Sequence, residues 1–225
     1  MIKVKNRINL ILPKRRVKVG IKELLHARLY FLAGPIRGAS GGYGYWQAKA
    51  IEYLAAEDPG CYIVCPCRYS PNQTISENWL ALQEHGLEEN AADSIPEFAS
   101  QTLWERYYLE RAARYGTIIF WLAEEDKINP RPKDQGPYGR DTYGEQGEWR
   151  IRSKYNIGEH GLPIINSQEI MNSLPKLNVV IGGEAGFSGI DVIEKNWKDV
   201  HGADFVLHKS LERTIDAAIT KALTI

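Results

Sequence analysis

Five short apolar runs punctuate the chain, and amphipathic stretches alternate with them. Arg28-Leu29-Tyr30-Phe31-Leu32-Ala33-Gly34-Pro35 is apolar and aromatic and is stopped by Gly-Pro, the pattern of a buried strand ending in a loop. A glycine-rich turn follows, Arg37-Gly38-Ala39-Ser40-Gly41-Gly42-Tyr43-Gly44, and then Trp46, Ala50, Tyr53 and Leu54 recur at helical spacing through residues 45–56. Residues 61–67, Cys-Tyr-Ile-Val-Cys-Pro-Cys, predict a second buried strand closed by Pro66, because proline cannot donate to an interior ladder. Polar sequence over 70–94 predicts a long excursion with one short helix at 79–84. From Pro96 the series Phe98, Leu103, Trp104, Tyr107, Tyr108, Ala112 predicts an amphipathic helix ended by Gly116.

Thr117-Ile118-Ile119-Phe120-Trp121-Leu122 is β-branched and aromatic, carries no charge, and is expected at the centre of the sheet. The Pro- and Gly-containing segment 124–143 is expected to be a long functional loop, with a helix starting near Thr142. Residues 178–183 read as a fourth strand and 190–198 as a helix. A last strand is expected over 203–207, and a C-terminal helix over 211–222. Alternation of strands and helices implies an α/β fold, a mainly parallel sheet of about five strands with right-handed crossovers and helices on both faces. Ligands of such sheets bind beyond the carboxyl ends of the strands, which directs attention to the loops after Leu32, Val64, Leu122 and Ile181.

Charge divides the chain. The whole is neutral, with 28 basic and 28 acidic side chains among 225 residues. Residues 1–28 nevertheless hold nine basic groups against Glu23 alone, a net +8 balanced by −8 on the remainder. A basic arm over 1–27 and an α/β domain over 28–225 are the expected units. The arm has three candidate partners: the chain's own acidic body, a neighbouring subunit, or a polyanion such as nucleic acid. No apolar run approaches the roughly 18–20 residues that cross a bilayer, and no signal-peptide pattern is present. A cytoplasmic protein without a membrane partner is expected. Cys61, Cys65 and Cys67 are an odd, crowded set and read as reduced thiols.

Carboxylates dominate the candidate chemistry. Glu124, Glu125, Asp126, Asp141, Glu145 and Glu148 flank the long loop, whereas the five histidines are scattered and the cysteines lack a familiar zinc spacing. No metal and no cofactor is expected. The glycine-rich turn lacks both the GK[ST] of a P-loop and the G-x-G-x-x-G of a dinucleotide site.

One ordered series goes further. Tyr30-Phe31-Leu32-Ala33-Gly34-Pro35-Ile36 with Trp46-Gln47, Cys65-Pro66-Cys67-Arg68, Phe98-x2-Gln101-x2-Trp104-Glu105, Ile119-Phe120-Trp121-Leu122 and Thr142-x2-Glu145-x-Gly147-Glu148-Trp149 resembles the nucleoside 2-deoxyribosyltransferase-like family. The resemblance implies a flavodoxin-like sheet, a homo-oligomer, and cleavage of the N-glycosidic bond of a small-molecule nucleoside or nucleotide. By the same resemblance Glu145 is the nucleophile, Tyr30 orients it, and Glu105 or Asp141 handles the departing base. Gly34, Pro35, Arg37 and Arg68 then lie on the substrate side, with Trp46, Trp104 and Trp121 available to stack on a base.

The chemistry suits these residue types. Breaking the C1′–N bond develops positive charge on the sugar, which a carboxylate below C1′ stabilises or traps covalently. A second acid, its pKa raised by burial beside another carboxylate, protonates the base. Water as acceptor makes a hydrolase and a second base makes a transferase. The blander readings stand beside these. Thr142-x-x-Glu145 is also a helix capping box, Glu105 and Asp141 fit exposed helix and loop positions, and Tyr30 and the tryptophans fit a core. Gly136 to Glu145 also resembles a loop of phosphoribohydrolases, with Arg37, Arg68 and Arg140 as phosphate ligands. An NAD-type glycosidic substrate and a non-catalytic nucleotide-binding scaffold complete the alternatives.

Overall fold

The computed structural model describes residues 9–13, 27–67, 100–155 and 176–224. Its centre is one five-stranded, wholly parallel sheet. The strands are β1 (Asn9–Ile11), β2 (Leu29–Ala33), β3 (Tyr62–Val64), β4 (Gly116–Leu122) and β5 (Val179–Gly183), in the spatial order β1-β3-β2-β4-β5. Among the described residues five α-helices flank it: α1 (Tyr45–Glu57), α2 (Gln101–Tyr115), α3 (Arg140–Tyr155), α4 (Ile190–His201) and α5 (Leu211–Ala222). The architecture is the α/β, flavodoxin-like arrangement with helices on both faces.

Chain direction explains which helix covers which face. From β2 the chain steps outward to β3, then reverses across β2 to β4 and continues to β5. Right-handed crossovers require the helix to change face when the step changes direction. Accordingly α1 packs on one face, where Trp46, Ala50, Ile51 and Leu54 meet Tyr30, Leu32, Ile119 and Trp121. The helices α2, α3 and α4 pack on the other, where Trp104, Trp149 and Trp197 meet Phe31, Ile118, Phe120 and Ile181. The helix α5 returns to the first face through Leu211, Ile215 and Ala218. All seven residues of β4 are buried, as its uninterrupted apolar run requires of a central strand. Reversal of the winding between β2 and β4 leaves a crevice at their carboxyl ends.

Two strand predictions need correction. The stretch 203–207 does not form a strand. Phe205 N closes a turn on Gly202 O at 3.0 Å, Val206 is exposed, and only His208 joins the sheet, through a single parallel bridge to Gly182. The fifth strand is instead β1, drawn from inside the basic arm, where Asn9-Leu10-Ile11 pairs with Tyr62-Ile63-Val64. Leu10 and Ile11 are buried while Asn9 Nδ2 donates to Gly60 O at 3.1 Å, so part of the arm is edge strand of its own domain. The predicted helix at 79–84 lies outside the described residues.

The helices follow their sequence signals closely. Ser100 caps α2 by accepting from Leu103 N at 3.2 Å, and Ser210 caps α5 by accepting from Arg213 N at 3.3 Å. No helix among the described residues is long and apolar enough to cross a membrane.

Candidate active site

A cavity of about 630 Å³ opens at the carboxyl ends of β2 and β4, on the face that carries α2 and α3. Phe31, Ala33 and the turn Gly34-Pro35-Ile36-Arg37 form its base, and Pro66 and Tyr43 one side. Gln101, Thr102 and Glu105 of α2 face Asp141, Thr142 and Glu145 of α3 across it, with Arg131 and Gly139 contributed by the loop after β4. Its size is ordinary for a small-molecule site.

The turn after β2 has little conformational choice. Gly34 has φ 153°, and a Cβ there would lie 2.2 Å from Trp121 O, so only glycine lets β2 leave the sheet so close to β4. Pro35 O accepts from Trp46 Nε1 at 2.7 Å and from Gln47 Nε2 at 3.3 Å, which anchors the turn to α1 from behind. Ala39 bridges Glu125, while Ser40 N donates to Glu124 O at 2.9 Å and Asp126 N to Gly38 O at 2.7 Å. The glycines therefore let the turn pair with the loop after β4 and stiffen the rim. The loop carboxylates are likewise spent on structure. Glu125 accepts from Arg131 N, Asp126 caps Ile128 N and Asn129 N, and Glu184 accepts from Ser40 Oγ and Glu124 N.

Glu145 is different. It sits in the second turn of α3, five residues beyond Arg140, and among the described residues no donor reaches its carboxylate. Burial pushes its pKa up to about 7 from an ordinary 4.5, and the negative charges of Glu105, Asp141 and Glu148 push in the same direction. The capping-box reading does not survive, because the helix begins two residues before Thr142 and Thr142 is already buried within it.

The two candidate partners of Glu145 are not equivalent. Glu105 is half-buried in α2, is the strongest electrostatic neighbour of Glu145, and accepts from Gln101 Nε2 one turn earlier. Asp141 lines the rim with its side chain 68% exposed, and pairs with Arg140 Nε at 3.1 Å. Glu105 and Glu145 form a carboxyl pair in which charge on one disfavours charge on the other.

Several expected site residues are placed elsewhere. Tyr30 does not orient Glu145. Its side chain points to the α1 face near the amino end of β2 and its hydroxyl donates to buried Asp58 at 2.7 Å. Trp46, Trp104 and Trp121 are at most 3% exposed, and none lines the cavity. Trp46 holds Pro35, Trp104 packs on Phe31 and Tyr108, and Trp121 lies in the α1-face core. Their large apolar area is core material, and the aromatic side chains that line the cavity are those of Phe31 and Tyr43. Arg68 lies outside the described residues. Gly34, Pro35 and Arg37 do line the cavity with Glu105, Asp141 and Glu145.

Arg131 and Gln101 were not singled out as site residues. Gln101 stands in the motif that holds Glu105, and Arg131 is one of several cations in a proline-rich stretch, its aim set by tertiary packing. Among the described residues no three His, Cys, Asp or Glu side chains gather as metal ligands would. Compared with models of protein families and with curated proteins, the chain matches none.

Proposed function

We propose that this protein cleaves the N-glycosidic bond of a nucleoside or nucleotide, with Glu145 as nucleophile and Glu105 as the acid that protonates the leaving base. The observation that carries the reading is Glu145 itself, a carboxylate without a donor among the described residues, half-neutral near pH 7, lining with a second carboxyl a cavity at the switch point of the sheet. Structural carboxylates acquire partners, as those of the neighbouring loop do. A carboxylate kept without one is held in a costly state that suits charge appearing on a ligand. The resemblance of the ordered motifs to the nucleoside 2-deoxyribosyltransferase-like family supports the same bond type.

The steps balance without a cofactor. Ionised Glu145 adds to C1′ as the C1′–N bond breaks, and the proton of Glu105 passes to the base nitrogen that receives the bonding pair. Glu105, now ionised, takes a proton from water, whose oxygen attacks C1′ and releases Glu145. If a second base takes the place of water, the outcome is exchange. Each ionisation disfavours the other, so the pair alternates a single proton through the cycle.

The test is chromatography of reactions with deoxynucleosides, ribonucleosides, their monophosphates and NAD, each with and without a free acceptor base. Release or exchange of a base that disappears in Glu145→Ala supports the reading and separates hydrolysis from transfer. No turnover of any of them by folded protein, with nucleotide binding retained, favours a non-catalytic binding module.

A further inference from the structure

The lining of the cavity also carries two guanidinium groups, and both are tied to one residue. Arg37 Nη1 donates to the side-chain oxygen of Gln135 at 3.2 Å, and Arg131 Nη2 donates to the main-chain oxygen of the same Gln135 at 2.8 Å. Gln135 lies in a single 3-10 turn, Lys133–Gln135, at the tip of the loop after β4. The backbone adds a second constraint. Gly38 approaches Arg131 so closely that a Cβ on it would stand 2.5 Å from Arg131 N, so the two arginine-bearing loops meet at this point. No carboxylate pairs with either guanidinium among the described residues, and the Nε of Arg131 is buried without an acceptor.

Two like charges held together on one glutamine, one with an unspent buried donor, are an arrangement an anion would relieve. Arginine's planar fork suits the oxygens of a phosphate better than a point charge does. Glu105, Asp141 and Glu145 line the same cavity and repel that same anion. A ligand that satisfies both sets of side chains is therefore dipolar, with an anionic tail at Arg37 and Arg131 and an electron-poor centre at Glu145. We propose that Arg37 and Arg131 form a phosphate subsite and that the substrate is a sugar phosphate derivative, a nucleoside 5′-monophosphate in preference to a free nucleoside. This rests on the glycosidic reading for the identity of the centre at Glu145, but the anion subsite itself does not. Arg140, expected with Arg37 and Arg68 at a phosphate, opens α3 and is instead paired with Asp141 on the rim.

Calorimetric titration of the full-length protein with ribose 5-phosphate, 2-deoxyribose 5-phosphate, the two unphosphorylated sugars and inorganic phosphate tests the subsite without requiring the base to be known. At least one sugar phosphate is expected to bind about tenfold or more tighter than its free sugar, and tighter than inorganic phosphate, with an advantage that shrinks as salt rises. The double variant Arg37→Gln, Arg131→Gln should bring sugar and sugar phosphate to within about twofold of each other. Arg37 is exposed and makes one hydrogen bond, so Arg37→Gln alone, which leaves the core untouched, should already lower the preference several-fold.

Equal binding of sugars and sugar phosphates, or a preference that survives the double variant, overturns the subsite. Binding of inorganic phosphate as tight as that of both sugar phosphates overturns the sugar-phosphate assignment. The two readings fail separately. A phosphate preference with no base released from any nucleotide keeps the subsite and refutes the glycosidic reaction. Base release that is equal for nucleosides and nucleotides and indifferent to both arginines does the reverse.

Discussion

The two ends of strand β2 hold their carboxylates in opposite ways. At the amino end Asp58, 3% exposed, accepts from Tyr30 at 2.7 Å and from Arg28 Nε at 2.7 Å, and pairs with a second nitrogen of the same guanidinium. The bond to Asp58 raises the pKa of Arg28, and burial followed by the same bond raises that of Tyr30, so both stay protonated as donors. At the carboxyl end Glu145 is half-buried among other acids and has no donor among the described residues. One end is a closed network whose loss should cost stability; the other is an open one whose loss should cost activity and return stability. That contrast separates scaffold from site more sharply than burial does, since both groups are largely removed from water.

The largest expected effect is on turnover. Glu145→Gln should lower base release by about a thousandfold or more, the scale of losing a nucleophile, with the circular dichroism spectrum unchanged. Asp58→Ala should do the opposite, destabilising the fold by about 3 kcal/mol because Tyr30 and Arg28 lose a buried partner, with activity per folded molecule retained. Denaturant unfolding distinguishes the two. Tyr30→Phe, which removes one of the three bonds to Asp58, is expected to cost about 1–2 kcal/mol and to leave kcat unaltered. A thousandfold loss there would restore an orienting role to Tyr30.

The dependence on pH carries a sign. The native pKa of Glu145, about 7, lies above its ordinary 4.5. Between these values the folded protein holds a proton that the unfolded chain releases, so this group lowers stability as pH rises from about 4.5 to about 7. Glu145→Gln should therefore stabilise the fold by up to about 3 kcal/mol at pH 8 and by nearly nothing at pH 4. The wild-type rate should be bell-shaped in pH and should fall above about 7, where the pair loses the single proton that the leaving base requires.

How far these features could be read beforehand depended on whether the signal was local. The strand β4 was legible because its seven buried positions are written as an unbroken apolar, β-branched run, and α1, α2 and α5 because their apolar positions keep helical spacing. The strand β1 was not, because three residues in a highly basic stretch earn their place only by pairing with β3. Ala203 to Leu207 misled for the reciprocal reason, being apolar enough for a strand but needed to turn the chain out of α4. Glu145 and Glu105 stood in quoted motifs, while the aromatic side chains were ambiguous between wall and core. Which way Tyr30 points follows from strand alternation: Phe31 faces the cavity, so Tyr30 faces away. Arg131 acquires its aim from Gly38 and Gln135, contacts that tertiary packing creates and no local pattern announces.

The most direct test is a carboxyl-carbon NMR titration of glutamate-labelled protein, with the Glu145 resonance assigned by its disappearance in Glu145→Gln. The account predicts a midpoint near 7 that falls toward the ordinary value when Glu105 is replaced by glutamine. A midpoint near 4.5, unmoved by Glu105→Gln, would mean that Glu145 is a solvated or paired carboxylate like its neighbours, and would contradict the division between scaffold and site on which the proposed chemistry stands.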